Sequence, residues 1–308
     1  MKVAIFTDET GWHTRQLQVA LRARGALGRC VDLADCHVDT AASWHGLVIP
    51  GFGRELPAAA LVRGIAGGSF EQVTKRLTVL HMLRDLGVPV YNDARAIERS
   101  VDKAMTSLRL HAAGLKTPPT WVTESPATAR RIVMRESAAG HAVVVKPLFG
   151  SQGKGLQRVG LVDGTLLPLT TLDASCGGLF YLQRYIAPVE QPGFDWRVLV
   201  VGGRAVAAMR RVSEHWIHNL AQGARSLAAP LTPVLAGLAE RAARALEMDY
   251  AGVDLMPGPA PNEIQVVEVN GVAAWQGLQR VTGFNIARCI VDDLFDRRLA
   301  RASSARQA

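Results

Sequence analysis

Short apolar segments of strand length alternate along this chain with longer segments whose apolar residues recur at helical spacing. Lys2 to Thr7 has the pattern of a strand, Thr14 to Arg24 that of a helix, and Gly46 to Pro50 that of a second buried strand. Alternating strands and helices are typical of an α/β layer built on a parallel sheet. The sequence therefore predicts a small α/β lobe at the start of the chain.

Glycine and proline residues divide the rest of the chain. A helical stripe from Phe70 to Leu86 ends at Gly87, and the next helix is predicted from a cap at Ser100 to Ala113. Later strands are predicted at Thr120 to Val122, Ala142 to Lys146, Leu156 to Val159, Trp196 to Val201, Ala205 to Arg210, Ala251 to Leu255 and Ile264 to Val269, with helices at Leu231 to Leu246 and Asn285 to Leu299. We predict an α/β lobe at 1–96, a small α+β lobe at 97–182, a larger sheet-bearing lobe at 183–299 and a frayed tail at 300–308.

Composition excludes several classes of protein. No apolar stretch reaches the roughly 18 residues that a membrane-spanning helix needs, and the N-terminus lacks a secretory pattern, so a cytoplasmic location without membrane contact is expected. Cys30, Cys36, Cys176 and Cys289 have no CxxC or His-rich spacing and are predicted to be free thiols. The net charge is +8, but dispersed basic residues favour small anionic partners over nucleic acid. The sequence is also compatible with a homo-oligomer.

A glycine-rich segment follows the predicted strand Ala142 to Lys146. Gly150, Gly153 and Gly155 allow the backbone to approach an anion closely, and Lys146 brings an ammonium group to the start of this loop. A strand follows rather than a helix, so the segment is not a Walker P-loop. Two interpretations remain at this point, a phosphate cradle or a hairpin whose glycines serve only turn geometry.

Polar residues follow two predicted strands near the C-terminus. Asp254 comes after Ala251-Gly252-Val253, and Glu268 and Asn270 are two positions apart, so their side chains share one face of a strand. Oxygen ligands of this kind suit Mg²⁺ that bridges substrate phosphates. The alternative is that these residues are solvated groups at strand ends.

Taken together and in order, several segments resemble the RimK-like branch of the ATP-grasp superfamily, which are amino-acid ligases. The segments are Ile97 to Lys103, Val144 to Lys146 with its glycine loop, Leu182 to Ile186, Asp195 to Gly202, Arg210-Arg211, Asn219, Ala251 to Asp254 and Val267 to Asn270. The resemblance covers about residues 70 to 297. It implies an ATP-grasp fold of α/β and α+β lobes, with the small parallel-sheet lobe at the N-terminus.

The resemblance also implies roles for individual residues. Lys103 and Lys146 would hold ATP phosphates, the Arg184-Tyr185 backbone would meet the adenine, and Asp195 would reach the ribose. The remaining implied nucleotide contacts are Ser151, Gln152, Gly153, Gly155 and Gln183. Asp254, Glu268 and Asn270 would hold one or two Mg²⁺ ions, with Mn²⁺ as an alternative. Arg197, Arg211 and Asn219 would stabilise the transferring phosphate.

Three segments depart from the family's pattern. Relatives often have Glu where this chain has Arg184, and an Arg-Ser-Asn motif where it has Ile217-His218-Asn219. After Asn270, a small-residue and Pro-Gly turn is replaced by Gly271 to Trp275. This last region is predicted to shape the acceptor pocket.

The resemblance implies an ATP-dependent carboxylate–amine ligase that acts through an acyl phosphate. It would add glutamate or a similar amino acid to a small acidic cofactor, such as a pterin or furan coenzyme of one-carbon metabolism, or to a peptide. The alternative is a nucleotide-binding regulatory protein without catalysis. The cations at Arg197, Arg210, Arg211 and Arg280 favour acidic substrates.

Overall fold

The computed structural model describes residues 1–150, 152–167, 169 and 178–302. Its strands are β1 (Lys2–Phe6), β2 (Leu27–Val31), β3 (His37–Val38), β4 (Leu47–Val48), β5 (Ala59–Val62), β6 (Val90–Tyr91), β7 (Thr120–Thr123), β8 (Ala142–Lys146), β9 (Gln157–Val162), β10 (Thr165–Leu167), β11 (Phe180–Arg184), β12 (Gly193–Val201), β13 (Arg204–Ser213), β14 (Arg225–Ala228), β15 (Tyr250–Pro257) and β16 (Ile264–Asn270). Its helices are α1 (Trp12–Ala23), α2 (Phe70–Asp85), α3 (Ala94–Val101), α4 (Lys103–Ala112), α5 (Pro126–Ala138), α6 (Pro233–Ala245), α7 (Gln276–Gln279) and α8 (Ile286–Asp293), with a 3₁₀ turn at Leu220–Gln222 and a π-helical segment at Leu294–Leu299.

The first sheet is parallel and has the order β2-β1-β5-β6. Its strands β1, β5 and β6 are short and almost entirely buried, whereas the edge strand β2 is only partly buried. The predicted parallel sheet at the start of the chain is therefore confirmed. Within the described residues, no helix is long and apolar enough to cross a membrane.

One strand of that sheet differs from the prediction. The apolar run Gly46 to Pro50 contributes only Leu47 and Val48, which pair with the two-residue strand β3 in a separate ribbon. The place in the parallel sheet is taken by β5, whose Ala59 and Ala60 are fully buried. Alanine has a low strand propensity, so the sequence pattern concealed this strand, and its burial against neighbours decides the conformation.

The start of α4 also differs from the prediction. Ser100 does not cap a helix, because it lies inside α3 and its hydroxyl donates to the carbonyl of Ile97. Asp102 is the cap instead, and its carboxylate accepts from the backbone N–H groups of Ala104 and Met105 at 2.8 and 3.0 Å. Lys103 is therefore the first residue of α4.

Two antiparallel sheets follow, with the orders β10-β9-β8-β11-β7 and β14-β13-β12-β15-β16. The second sheet packs on α5 and has its own hydrophobic core. A different hydrophobic core contains residues of the first sheet, α1, the third sheet and α8. In the third sheet, Asp254 pairs in register with Arg197 on one side and Glu268 on the other. Residues 300–302 are still helical, and 303–308 of the predicted tail lie outside the described residues, as does Cys176.

Candidate active site

A cleft is lined by side chains from both antiparallel sheets. Of the residues singled out in the sequence, it gathers Lys103, Lys146, Gln152, Gly153, Gln183, Arg184, Tyr185, Asp195, Arg211, Asn219, Asp254 and Glu268. Ser151 lies outside the described residues. Gly155, Arg197 and Asn270 do not line the cleft but lie directly behind residues that do.

Two lysines enter the cleft from the second sheet and α4. Lys146, at the end of β8, donates to Gln183 Oε1 at 2.6 Å, and burial lowers the pKa of Lys146 to about 8. Lys103 donates to the carbonyls of Gly150 and Leu148 at 2.7 and 3.3 Å, and burial also lowers its pKa. Their hydrogen-bond partners are neutral, so the two ammonium groups can attract an anion.

The glycine loop lies against the segment that follows β13. Gly153 has a φ of +71°, and a Cβ added there would lie 2.8 Å from Asn219 Oδ1 and 2.8 Å from Ile217 Cγ2. Gln222 donates to the carbonyl of Gln152 at 3.2 Å. Gly155 has a φ of +73° and closes against Pro147. The loop therefore needs glycine for both backbone conformation and close approach.

Replacing Gly153 with alanine is expected to weaken nucleotide binding, because a side chain there separates the loop from Asn219. The left-handed conformation adds a strain of about 1–2 kcal/mol. Gly164→Ala is the matched control, since Gly164 has a φ of +81° but open space around it. Calorimetry with a non-hydrolysable ATP analogue should show weaker affinity for Gly153→Ala alone. Equal affinities in the two variants would contradict a role for the loop contact.

Four charged side chains alternate beneath the cleft. Arg197 forms a two-pronged pair with Asp254, and Arg211 bonds Asp254 Oδ2 at 3.0 Å. Arg211 also donates to both oxygens of Asp195, at 2.7 and 2.6 Å. All four residues are buried or nearly so, which strengthens each charged contact.

The two carboxylates of this network have different environments. Burial raises the pKa of Asp195 from 3.8 to about 6, despite the neighbouring Arg211. Burial acts in the same direction on Asp254, but Arg197 and Arg211 outweigh it and hold the pKa of Asp254 below its ordinary value. The charged form is therefore favoured more strongly at Asp254 than at Asp195.

Glu268 and Asn270 offer the less encumbered oxygens. The nearest cation to Glu268 is Lys103 at 4.0 Å, and the Glu268 side chain is 29% exposed. Asn270 uses its amide nitrogen to donate to the carbonyl of Gly252 at 3.2 Å, which leaves its oxygen facing away from that bond. Within the described residues, no three His, Cys, Asp or Glu side chains form a metal-binding group. The donor set fits an ion that takes most of its ligands from water and phosphate, as Mg²⁺ does.

The chain matches the RimK-like ATP-grasp domain over residues 100–294 and the RimK PreATP-grasp domain over residues 1–97. It is 30% identical over 320 residues to the tetrahydromethanopterin:alpha-L-glutamate ligase of Methanosarcina acetivorans. The alignment covers 94% of this chain and 96% of that protein. It is 30% identical over 300 residues to the ribosomal protein bS6--L-glutamate ligase of Escherichia coli, with 93% of each chain covered. The chain belongs to the RimK-like ATP-grasp family.

A solved structure agrees with this assignment at the level of the fold. The ATP-grasp ligase PsnB, complexed with a phosphomimetic variant of minimal precursor, Mg and ADP, superposes with a TM-score of 0.72 at 21% identity, covering 96% of this chain and 97% of that one. The family and the fold class predicted from the sequence are therefore confirmed, and this chain is an ATP-grasp ligase.

Arg184, which departs from the RimK-like pattern, has a compensating partner. Its guanidinium donates to Glu136 on α5 at 2.8 Å, and the Glu136 side chain is only 4% exposed. The charge is thus neutralised on the side of the second sheet. No sequence pattern pointed to Glu136, because the pair depends on how α5 packs against β11.

An aromatic cluster at the cleft was missed by the sequence analysis. The guanidinium of Arg158 lies 5.1 Å from the ring centre of Tyr185 and 5.4 Å from that of Trp216, and both aromatic residues line the cleft. Trp216 precedes Ile217-His218-Asn219, the segment that departs from the RimK-like motif. The only available signal was an aromatic residue next to that motif.

The positions of Trp275 and Arg210 could not be read from the sequence. Trp275 is 1% exposed and packs edge-on against His13 and Tyr250, so its ring lies between the first and third sheets. Arg210 pairs with Glu190 and stacks on Phe194. Arg210 and Arg211 are adjacent in β13 and point to opposite faces, so only Arg211 faces the cleft.

Proposed function

We propose that this ATP-grasp ligase uses ATP and Mg²⁺ to join a carboxylic acid to the amino group of L-glutamate or a similar amino acid. The observation that carries the proposal is the cleft itself, in which Lys103 and Lys146 lie on one side, and Asp254 and Glu268 on the other. The names of the two relatives support glutamate as the added residue.

The chemistry requires an activated acid, because a carboxylate is a poor electrophile. In the proposed route, a carboxylate oxygen attacks the γ-phosphoryl group, ADP leaves, and an acyl phosphate forms. The amine then attacks the acyl carbon, and the original oxygen departs with phosphate. Lys103, Lys146 and Arg211 supply positive charge where the phosphoryl group carries negative charge.

Glu268, Asp254 and Asn270 are the proposed ligands of Mg²⁺, which would offset phosphate charge when bound. Asp254 already accepts bonds from Arg197 and Arg211, so Glu268 is the carboxylate with most freedom to bind an ion. Asp254 then serves mainly to orient the two arginines. The planar guanidinium groups of Arg197 and Arg211 stay charged, so they suit contact with a transferring phosphate better than a base that titrates would.

Exclusion of water is the proposed role of the glycine loop, because an acyl phosphate hydrolyses readily. The contacts of Gly153 with Asn219 and of Gln152 with Gln222 hold the loop against the third sheet. A nucleotide would have to enter beneath these contacts, so the loop is expected to open and close during turnover.

The acid that receives the amino acid is proposed to be a small acidic cofactor such as a pterin, in line with the name of the Methanosarcina acetivorans relative. A protein or peptide acceptor is the second candidate, since the Escherichia coli relative is named for ribosomal protein bS6. A cytoplasmic location stays a prediction from the sequence. The alternative of a regulator without catalysis is not retained, because the relatives that the chain matches over most of their length are named as glutamate ligases.

ADP release tests the proposed function. Purified protein with ATP, Mg²⁺ and L-glutamate is offered a panel of carboxylic acids that includes tetrahydromethanopterin and ribosomal protein bS6. We expect ADP to form over many turnovers only when both an acid and the amino acid are present, and mass spectrometry should detect the amide product. ADP release over many turnovers that is independent of any amine would contradict the ligase chemistry proposed here.

Replacing Lys146 with methionine is expected to weaken the binding of a non-hydrolysable ATP analogue by about a hundredfold, since the ammonium group makes a charged contact with phosphate. The fold should persist because Lys146 has no carboxylate partner within ion-pair distance among the described residues, only Gln183. Calorimetry measures the affinity, and Lys116→Met, which removes a surface lysine paired with Glu263, is the control. Unchanged affinity in a folded Lys146→Met variant would remove Lys146 from the site.

A further inference from the structure

The loop between β5 and α2, residues 63–69, carries Arg63, which has no carboxylate partner among the described residues. Among the described residues, every arginine with a partly or fully buried side chain has a carboxylate within 4.0 Å, except Arg63 and Arg76. Arg76 donates to the carbonyls of Ala66 and Gly67 at 2.6 and 3.0 Å, so it fixes the shape of this loop. Arg63 has no such structural explanation for its charge.

Arg63 is held in place by neutral groups. It donates to the carbonyl of Ala273 at 2.7 Å and to the hydroxyl of Tyr250 at 3.3 Å, and its guanidinium lies 4.7 Å from the ring centre of Trp275. Its Nε atom is buried and has no hydrogen-bond partner. A guanidinium that is oriented by a ring and a carbonyl, but keeps its charge uncompensated, is prepared to bind a carboxylate.

Among the described residues, no charged side chain forms an ion pair with Arg63. His13 accepts a hydrogen bond from the backbone N–H of Trp275 at 3.1 Å, and burial followed by the nearby Arg63 lowers the pKa of His13 to about 4. The imidazole is therefore neutral at pH 7. Asp8 and Glu9 follow β1 at the same edge of the sheet, but neither pairs with Arg63.

Arg63 also lies beside the arginines of the active site. It follows β5 at the carboxyl edge of the parallel sheet, where open α/β sheets bind ligands. Its partner Ala273 packs on Gly252, since a Cβ added to Gly252 would lie 3.0 Å from Ala273 Cβ and 3.0 Å from Arg197 Cδ. Ala273 and Gly252 thus lie between Arg63 and the network of Arg197 and Asp254.

We propose that Arg63 binds a carboxylate of the acidic amino-acid substrate that takes no part in bond formation. This inference rests on the proposed ligase function and assigns one of its substrate contacts to the first lobe. A neutral amino acid without that carboxylate would leave Arg63 unpaired.

Calorimetry with three ligands tests this contact. L-glutamate, L-glutamine and L-isoglutamine are titrated into protein that is saturated with Mg²⁺ and a non-hydrolysable ATP analogue, so that each amide removes the charge of one carboxylate. We expect one of the two amides to bind about ten- to a hundredfold more weakly than glutamate, as for loss of a charged hydrogen bond. In Arg63→Gln this difference should disappear.

Two further variants separate the charge from the structural brace. Tyr250→Phe removes one hydrogen bond of Arg63 but keeps the guanidinium, so the preference for glutamate should persist. Arg63→Lys keeps a positive charge without the planar fork and should retain part of the preference, which covers the case in which Arg63→Gln fails to fold. A preference that survives in folded Arg63→Gln, or a wild-type protein that binds glutamate and both amides equally, would overturn the assignment. Selective glutamate binding without any ADP release in the acid panel would instead refute the proposed function and leave the Arg63 contact standing.

Discussion

Replacing Glu268 with glutamine is expected to lower the turnover number by on the order of 10³-fold while changing nucleotide affinity by less than about tenfold. The substitution keeps the shape of the side chain and removes only its charge. Negative charge on the phosphoryl oxygens must be stabilised most strongly during transfer, and Glu268 is the carboxylate most available to hold the ion that does so. The loss should therefore fall on catalysis rather than on binding.

Single-turnover ADP formation and calorimetric affinity for a non-hydrolysable ATP analogue measure the two quantities separately. Glu263→Gln is the matched control, because Glu263 lies beside the other end of β16 and pairs with Lys116 at 2.9 Å. We expect the control to retain nearly full turnover. Similar small losses of turnover in both variants would indicate that Glu268 is a solvated acid without a role in catalysis.

The geometry around Glu268 was partly predictable from the sequence. Short apolar runs predicted that Asp254 and Glu268 follow two neighbouring strands, whereas the structure places both residues within β15 and β16 and pairs them in register. The spacing of Glu268 and Asn270 correctly placed both on one face. Local periodicity was sufficient here because strand geometry fixes the direction of alternate side chains.

The ion pairs of the site were not predictable in the same way. Asp254 is predicted to bind a metal, and the sheet order additionally brings Arg197 and Arg211 to its two oxygens. Those contacts depend on which strands become neighbours, a property of the whole fold that no single segment encodes. The same holds for Arg184 and Glu136, which come from β11 and α5.

In the first lobe, a strong local strand pattern predicted the wrong strand for the parallel sheet. The run Gly46 to Pro50 has a strong strand pattern, yet the weaker Ala59–Val62 segment joins the parallel sheet. Burial between two layers stabilises an alanine-containing strand whatever its intrinsic propensity. Arg63 at the end of this strand was consequently not recognised, although it lies next to the active-site arginines.

Replacing Arg211 with methionine is expected to reduce the free energy of unfolding by about 3–5 kcal/mol at pH 7, because it leaves Asp195 as a buried carboxylate without its partner. Methionine fills much of the same volume, so the loss reports charge rather than a cavity. Arg210→Met is the matched control. Arg210 is its neighbour in β13 but pairs with Glu190 near the surface, and its removal should cost about 0–1 kcal/mol.

The pH dependence distinguishes an unpaired charge from simple loss of packing. Burial already raises the pKa of Asp195 from 3.8 to about 6 in the presence of Arg211, and loss of the guanidinium raises it further. In folded Arg211→Met, Asp195 keeps a proton that the unfolded chain releases above pH 3.8. The stability of this variant therefore falls as pH rises through the folded pKa of Asp195, and it recovers as pH is lowered. Urea denaturation at pH 7 and pH 5 should show a smaller deficit relative to wild type at pH 5. A deficit that is the same at both values would mean that Asp195 is not left as a buried anion and that packing alone accounts for the loss.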